Sequence, residues 1–157
     1  MNTSELEIRQ SRPADEAAVV ALSSRLHEFG PPAWRNAARM ADVDRELVRR
    51  AVLEPNGERM VLVACTGSEI VGFVHLSVLT DYYATQPHVH ISDLVVDAGH
   101  EGRGIGRALM EASEGWAREN GYSWLTIAVF EGNARAAKIY ENAGFGRDML
   151  KMVKPLA

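Results

Sequence analysis

Asp97-Ala-Gly-His-Glu-Gly-Arg-Gly-Ile-Gly-Arg-Ala-Leu-Met110 joins two segments of different periodicity. Before it, Val89-His-Ile-Ser-Asp-Leu-Val-Val96 is an apolar run that reads as a buried strand. After it, Ile105, Ala108, Leu109, Ala112 and Trp116 recur at helical spacing on one face, and Asn120-Gly121 is a helix-stop signal. Three glycines, Gly102, Gly104 and Gly106, therefore stand where a strand turns into a helix. Glycine lets backbone amides approach a ligand without a Cβ in the way. The first amides of a helix lack internal partners and carry partial positive charge, so this is a ready site for phosphate.

Two commoner glycine loops do not fit. A dinucleotide fingerprint requires Gly-x-Gly-x-x-Gly/Ala, but the last position falls on Leu109 or Arg107. A nucleoside-triphosphate loop requires Lys and Ser/Thr after its second glycine, but Ile105 and Gly106 follow Gly104. What remains, Glu101-Gly-Arg-Gly-Ile-Gly106 after a strand, resembles the pyrophosphate loop of the GNAT superfamily of N-acetyltransferases, Gln/Arg-x-x-Gly-x-Gly/Ala. It departs from that pattern at the first position, where this chain has Glu101. A second stretch, Asn133-Ala-Arg-Ala-Ala-Lys-Ile-Tyr-Glu-Asn-Ala-Gly-Phe145, resembles the family's Asn-x-x-Ala-x-x-x-Tyr-x-x-x-Gly-Phe at every fixed position.

Outside these motifs the chain reads in order. Leu6 to Gln10 alternates as a first strand, and Ser11-Arg-Pro13 opens a helix with Ala17, Val20, Ala21, Ser24 and Leu26 near one face. A weaker helix is expected from about Asp44 to Leu53, with Leu47, Val48 and Ala51 apolar. Strands Met60–Thr66 and Glu69–Leu79 flank a hairpin turn at Gly67. The run Trp124–Phe130 reads as a strand covered on both faces, and Arg147–Lys154 as a closing strand. The order βααβββαβαβ resembles the family topology over essentially the whole chain. It implies an α/β (α+β) fold, with a mixed, mainly antiparallel sheet of six to seven strands flanked by helices, in a single domain over 1–157.

The 157 residues carry a net charge of -4, which argues against nucleic acid as a general partner. No window is long and apolar enough to span a membrane, and Met1–Gln10 does not read as a secretory signal, so a cytoplasmic protein is expected. The single cysteine, Cys65, excludes an internal disulfide and sits in a strand, where it reads as a buried thiol. The five histidines show no ligand spacing, so no metal is expected.

Acetyl transfer to an amine requires a held cofactor, a neutral amine and a stabilised thiolate. A free alkylamine has a pKa of about 10.4 and is mostly protonated at neutral pH. A thiol of pKa about 8.5 leaves more readily with a proton donor nearby. The resemblance implies acetyl-CoA as co-substrate and Tyr140 as that donor. It also implies cofactor contacts from the backbone of Leu94, Val95 and Val96, from the loop Glu101, Gly102, Arg103, Gly104, Ile105, Gly106 and Arg107, and from Asn133. Asn133 reads equally well as a helix cap. His90 stands where some members carry a base, and its ordinary pKa near 6.5 suits the task. Asp93 acting through water, or a water chain alone, remains open, and His75 and Asp81 are weaker candidates. Strict alternation puts His88, His90, Ser92, Leu94 and Val96 on one face of the strand and Val89, Ile91, Asp93 and Val95 on the other. Phe29, Pro31, Pro32, Trp34, Tyr82 and Tyr83 could line an acceptor pocket, pack ordinarily or form a homodimer contact. The expected reaction is direct transfer to a primary amine of a small molecule or protein. The runner-up is a catalytically silent acyl-CoA sensor or partner-binding module on the same fold.

Overall fold

The computed structural model describes residues 5–156; the first four residues of the N-terminal reading lie outside it. Five strands form one sheet in sequence order: β1 Leu6–Gln10, β2 Arg59–Thr66, β3 Glu69–Thr80, β4 Pro87–Val96 and β5 Leu125–Ile127. The first four pair antiparallel; β4 and β5 pair parallel. Thr66 pairs with Glu69, so β2 and β3 are joined by a two-residue turn, with Gly67 at φ +61°. Such a turn requires positive φ, which glycine adopts without a Cβ penalty.

Helices cover both faces. On one side α1 (Glu16–Ser23) and α2 (Ala37–Leu53) bury Val19, Val48, Ala51 and Val52 against Val61, Val63, Phe73 and Val95. On the other, α3 (Ile105–Glu119) buries Ile105, Leu109, Met110 and Ala117 against Leu62, Val74, Leu76, Val89 and Ile91. The last helix, α4 (Ala134–Asn142), adds Tyr140, and the chain beyond it adds Phe145, to the same layer. Each fully buried Val, Leu or Phe contributes roughly 1.5–3 kcal/mol relative to exposure. Close approach of α3 to the sheet depends on Gly72 of β3. A Cβ there would sit 2.9 Å from the Val95 carbonyl oxygen and 3.3 Å from side-chain atoms of Ile105 and Leu109.

Four sequence expectations are corrected. The sheet has five strands, not six or seven, because residues 147–156 form no strand. Their apolar residues come in adjacent pairs, Met149-Leu150 and Met152-Val153, so a strand would turn one of each pair to water. β5 ends at Ile127, three residues short of the apolar run it was read from. The first helix begins as a 3-10 turn, Pro13–Asp15, which shifts its phase. Val19 and Ser23 are buried, while Ala17 and Ala21 are exposed. α2 starts at Ala37, capped by the Asn36 side chain accepting from the Arg39 amide at 2.9 Å, and Leu47 is exposed.

Candidate active site

The site is built where β4 ends. β4 pairs with β5 only at Val89–Leu125, His90–Thr126 and Ile91–Ile127. Beyond that, β4 continues to Val96 while 128–130 leave strand geometry. The backbone groups of 92–96 that point toward β5 therefore have no strand to pair with, and a gap opens between the two strands. Leu94 and Val96 pack toward α3, and Val95 packs toward α1 and α2. Arg25, just after α1, donates a hydrogen bond to the Val96 carbonyl.

At the end of β4 the chain enters the glycine loop. Gly102 (φ +75°) and Gly104 (φ +79°) both occupy the left-handed region, and a Cβ on either would meet no protein atom within 4 Å. Gly104 is the N-cap of α3 and no side chain caps that helix, so its first amides, at Ile105, Gly106 and Arg107, are open. A phosphate group fits this concavity: the donors are backbone amides, the helix dipole adds positive potential, and no side chain fills the space. Glu101, the departure from the family pattern, pairs with Arg25 at 3.0 Å and Arg135 of α4 at 3.5 Å. The Arg25 hydrogen bond and then the Arg135 charge hold its carboxyl below the usual carboxylate range.

The expected alternation of β4 is interrupted. His75 pairs with Asp93 and Leu76 with Ile91, so Ser92 is an extra residue, a β-bulge. His90 and Asp93, expected on opposite faces, therefore come to the same one, the α2 side. There His75 Nδ1 lies 2.8 Å from Asp93 Oδ2, and His90 Nδ1 lies 2.8 Å from Thr126 Oγ1. A cavity of about 290 Å³ is lined from the sheet by His75, Ser77, His90, Ser92 and Asp93. Asp44, Leu47 and Arg50 of α2 and Arg59 of β2 complete it. Burial, then the neighbouring His88, lowers the His90 pKa from its ordinary value, which favours the neutral ring at pH 7. With a proton on Nδ1 donated to Thr126, Nε2 presents a lone pair.

Tyr140 is not in this cavity. It lies in the opposite layer, half-buried with Leu94, Val96 and Ile127, its ring edge-to-face with Phe145 at 6.3 Å. Burial raises its pKa above the ordinary tyrosine value, so its hydroxyl stays a donor. Tyr140 and His90 thus stand on opposite sides of the sheet. Asn133 caps α4, its side chain accepting from the Ala136 amide at 3.3 Å.

Other candidates fall outside. Asp81 accepts from the amides of Tyr83 and Ala84 and closes its own turn. Tyr82 and Tyr83 are exposed against each other. Phe29 stacks on Phe130 at 5.4 Å, and Arg35 lies over Trp34 and Phe130, so these residues cover the chain beyond β5 and do not line the cavity. Sequence reading missed Asp44, hydrogen-bonded to His27 and raised in pKa by burial. Its spacing to Val48 and Ala51 puts it on the buried stripe of α2, which was the available signal.

The chain matches the Acetyltransferase (GNAT) family over residues 24–145. It is 30% identical to a streptothricin acetyltransferase of Streptomyces lavendulae, covering 88% of this chain and 80% of that protein. It is 29% identical to an uncharacterized N-acetyltransferase, YhfO, of Bacillus subtilis, covering 91% of each. An aminoglycoside N-acetyltransferase solved in complex with CoA superposes with a TM-score of 0.76 at 17% identity, covering 98% of this chain and 95% of that one. With these matches, the chain belongs to the acetyltransferase (GNAT) family, as an N-acetyltransferase that uses acetyl-CoA.

Proposed function

We propose that this chain transfers the acetyl group directly to a primary amine at the gap between β4 and β5. The observation that carries this reading is the end of β4–β5 pairing at Ile91–Ile127, with His90 beside the opening. The amides of the 102–107 loop would hold the pyrophosphate, with Gly104 as the closest approach. Backbone groups of Leu94, Val95 and Val96 would hold the arm that follows it, and Asn133 would orient α4 at the same edge. When bound, acetyl-CoA supplies an acetyl group activated as a thioester. Its phosphates would meet Arg25 and Arg135 beside Glu101, so the carboxylate is already engaged and does not face them alone.

His90 Nε2 takes the amine proton as the nitrogen acquires its acyl bond. Asp93, held by His75, favours the cation that forms nearby. Tyr140 donates its hydroxyl proton to the departing thiolate from the opposite layer. An acyl-enzyme on the lone thiol finds no support, because Cys65 is buried against α1 and α2 and burial raises its pKa. The streptothricin and aminoglycoside acetyltransferases among the similar proteins make a small-molecule amine the first acceptor class to test.

The test is turnover with acetyl-CoA and a broad panel of amines, following thiol release and product mass together. Acetylated product with one thiol released per acetyl group supports the reading. Tight acetyl-CoA binding with no transfer to any amine would overturn it in favour of a silent cofactor-binding protein.

A further inference from the structure

The cavity on the α2 side carries charges of both signs, in a definite order across the sheet. Register pairs Arg59 with Ser77, Ser77 with His90 and His90 with Thr126, so these four lie in one row across β2 to β5. Neighbouring strands are about 4.8 Å apart, which puts Arg59 and His90 about 10 Å apart along the row. On α2 above it, Asp44 and Arg50 are six positions apart, about 9 Å along the axis. Asp44 belongs to the His75–Asp93 end, whose charges act on its carboxyl. Arg50 belongs to the Arg59 end. There Glu54 lies 3.4 Å from Arg50 and 3.6 Å from Arg59, one carboxylate between two guanidinium groups. One end of the cavity is therefore acidic and adjoins His90 and the strand gap. The other keeps an unmatched positive charge.

We propose that the acceptor is a small molecule carrying both an amine and a carboxylate, of the amino-acid class. Its amine lies at the Asp93–His90 end, and its carboxylate is received by Arg59 and Arg50. The proposal rests on the reading that this cavity is where an amine is acetylated. The chemistry is complementary at each end. A carboxylate attracts the ammonium form, from which His90 removes a proton once the cation is seated. A guanidinium fork matches a carboxylate with two parallel hydrogen bonds, a geometry an isolated amine cannot use. Size points the same way, since about 290 Å³ stands at the small end of ligand pockets, which run from ~300 to ~1,000 Å³.

The experiment compares matched pairs, each amino acid beside its decarboxylated amine: lysine with cadaverine, tryptophan with tryptamine, methionine with 3-(methylthio)propylamine. The expected result is a kcat/KM at least ~10-fold higher for the amino acid in one or more pairs, carried by KM, as expected for losing a charge-assisted hydrogen bond. In Arg59→Gln and Arg50→Gln that ratio should fall toward one, while Arg59→Lys keeps part of it. Arg50 is exposed, so its variant tests the idea even if Arg59, which also donates to the Glu54 carbonyl at 3.0 Å, proves needed for folding. Decarboxylated amines turned over as well as or better than their partners would overturn the proposal and leave the acetyltransferase reading intact. An unchanged ratio in folded Arg50→Gln and Arg59→Gln proteins would do the same. No turnover of any amine would overturn the underlying reading and this proposal with it.

Discussion

Replacing Tyr140 with Phe separates a catalytic tyrosine from a packing one. The ring stays, and with it the edge-to-face contact on Phe145 and the burial against the α3 layer. Among the described residues the hydroxyl makes no hydrogen bond within the protein, so none is lost. A typical hydrogen bond contributes about 0.5–1.5 kcal/mol; without one to lose, the stability change should stay below ~0.5 kcal/mol. For a chain of this length that is under ~2 °C in Tm, at about 2–4 °C per kcal/mol. The rate is another matter. Burial holds the hydroxyl pKa above its ordinary value near 10, so at pH 8 more than ~99% is protonated and able to donate. Losing general-acid help costs ~10²–10⁴-fold in kcat, which is about 2.7–5.5 kcal/mol of barrier. Thiol release at saturating substrates gives kcat, calorimetry gives acetyl-CoA affinity, and a thermal melt gives Tm. The reasoning predicts a large fall in the first and little change in the others. A Tyr140→Phe protein with kcat within ~3-fold of the parent would refute it, and a lowered Tm beside it would make Tyr140 a core residue only.

Three further outcomes can be checked. Gly104→Val forces a β-branched residue to φ +79° and puts a side chain over the helix amides. The strain should cost ~1–2 kcal/mol in stability, and acetyl-CoA affinity measured by calorimetry should fall roughly tenfold or more; unchanged affinity in a folded protein would move the pyrophosphate elsewhere. Asp15 is held by Arg9 at 2.7 and 3.1 Å and by the Arg12 amide at 2.7 Å, and the Arg9 hydrogen bond first of all lowers its pKa. The stability this gives is present above the unfolded carboxyl pKa of about 3.9 and lost as pH falls through the lower folded value. Asp15→Asn should cost about 1.5–3 kcal/mol at pH 7 and flatten the acid side of the Tm–pH curve; parallel curves for the two proteins would argue against it. Gly72→Ala drives a methyl group against a backbone oxygen at 2.9 Å, and should cost about 1–3 kcal/mol, read as a Tm loss of ~2–12 °C, where an unchanged Tm would mean that α3 can back away freely.

The glycine loop and α4 were legible because their residues have few other uses. Gly102 and Gly104 need positive φ, Asn133 satisfies an open amide, and Gly144, at φ +98°, ends the helix. The bulge in β4 was written in the sequence and not read. Its inward apolar residues run 89, 91, 94, 96, a step of three where alternation requires two. The first turns of α2 carried no hydrophobic stripe, because residues 37–43 are largely exposed, so only the Asn36 cap announced them. The charged cavity could not be foreseen, since it depends on which residues of β2, β3 and β4 share a row.

The extra residue at Ser92 makes parity the quantity that assembles the cavity. Ahead of it, even-numbered side chains of β4 look toward α2; behind it, odd-numbered ones do. Ser92 itself can change to many residues without altering that count. A one-residue deletion between His90 and Asp93 would remove the bulge yet leave the two residues two positions apart, still on one face by plain alternation. The partnership of His90 with Asp93 is therefore indifferent to the side chain at 92 and depends on the bulge itself: at the present chain length, straight pairing of β4 with β3 would turn Asp93 and Val95 toward α3 and bring Leu94 to the α2 side.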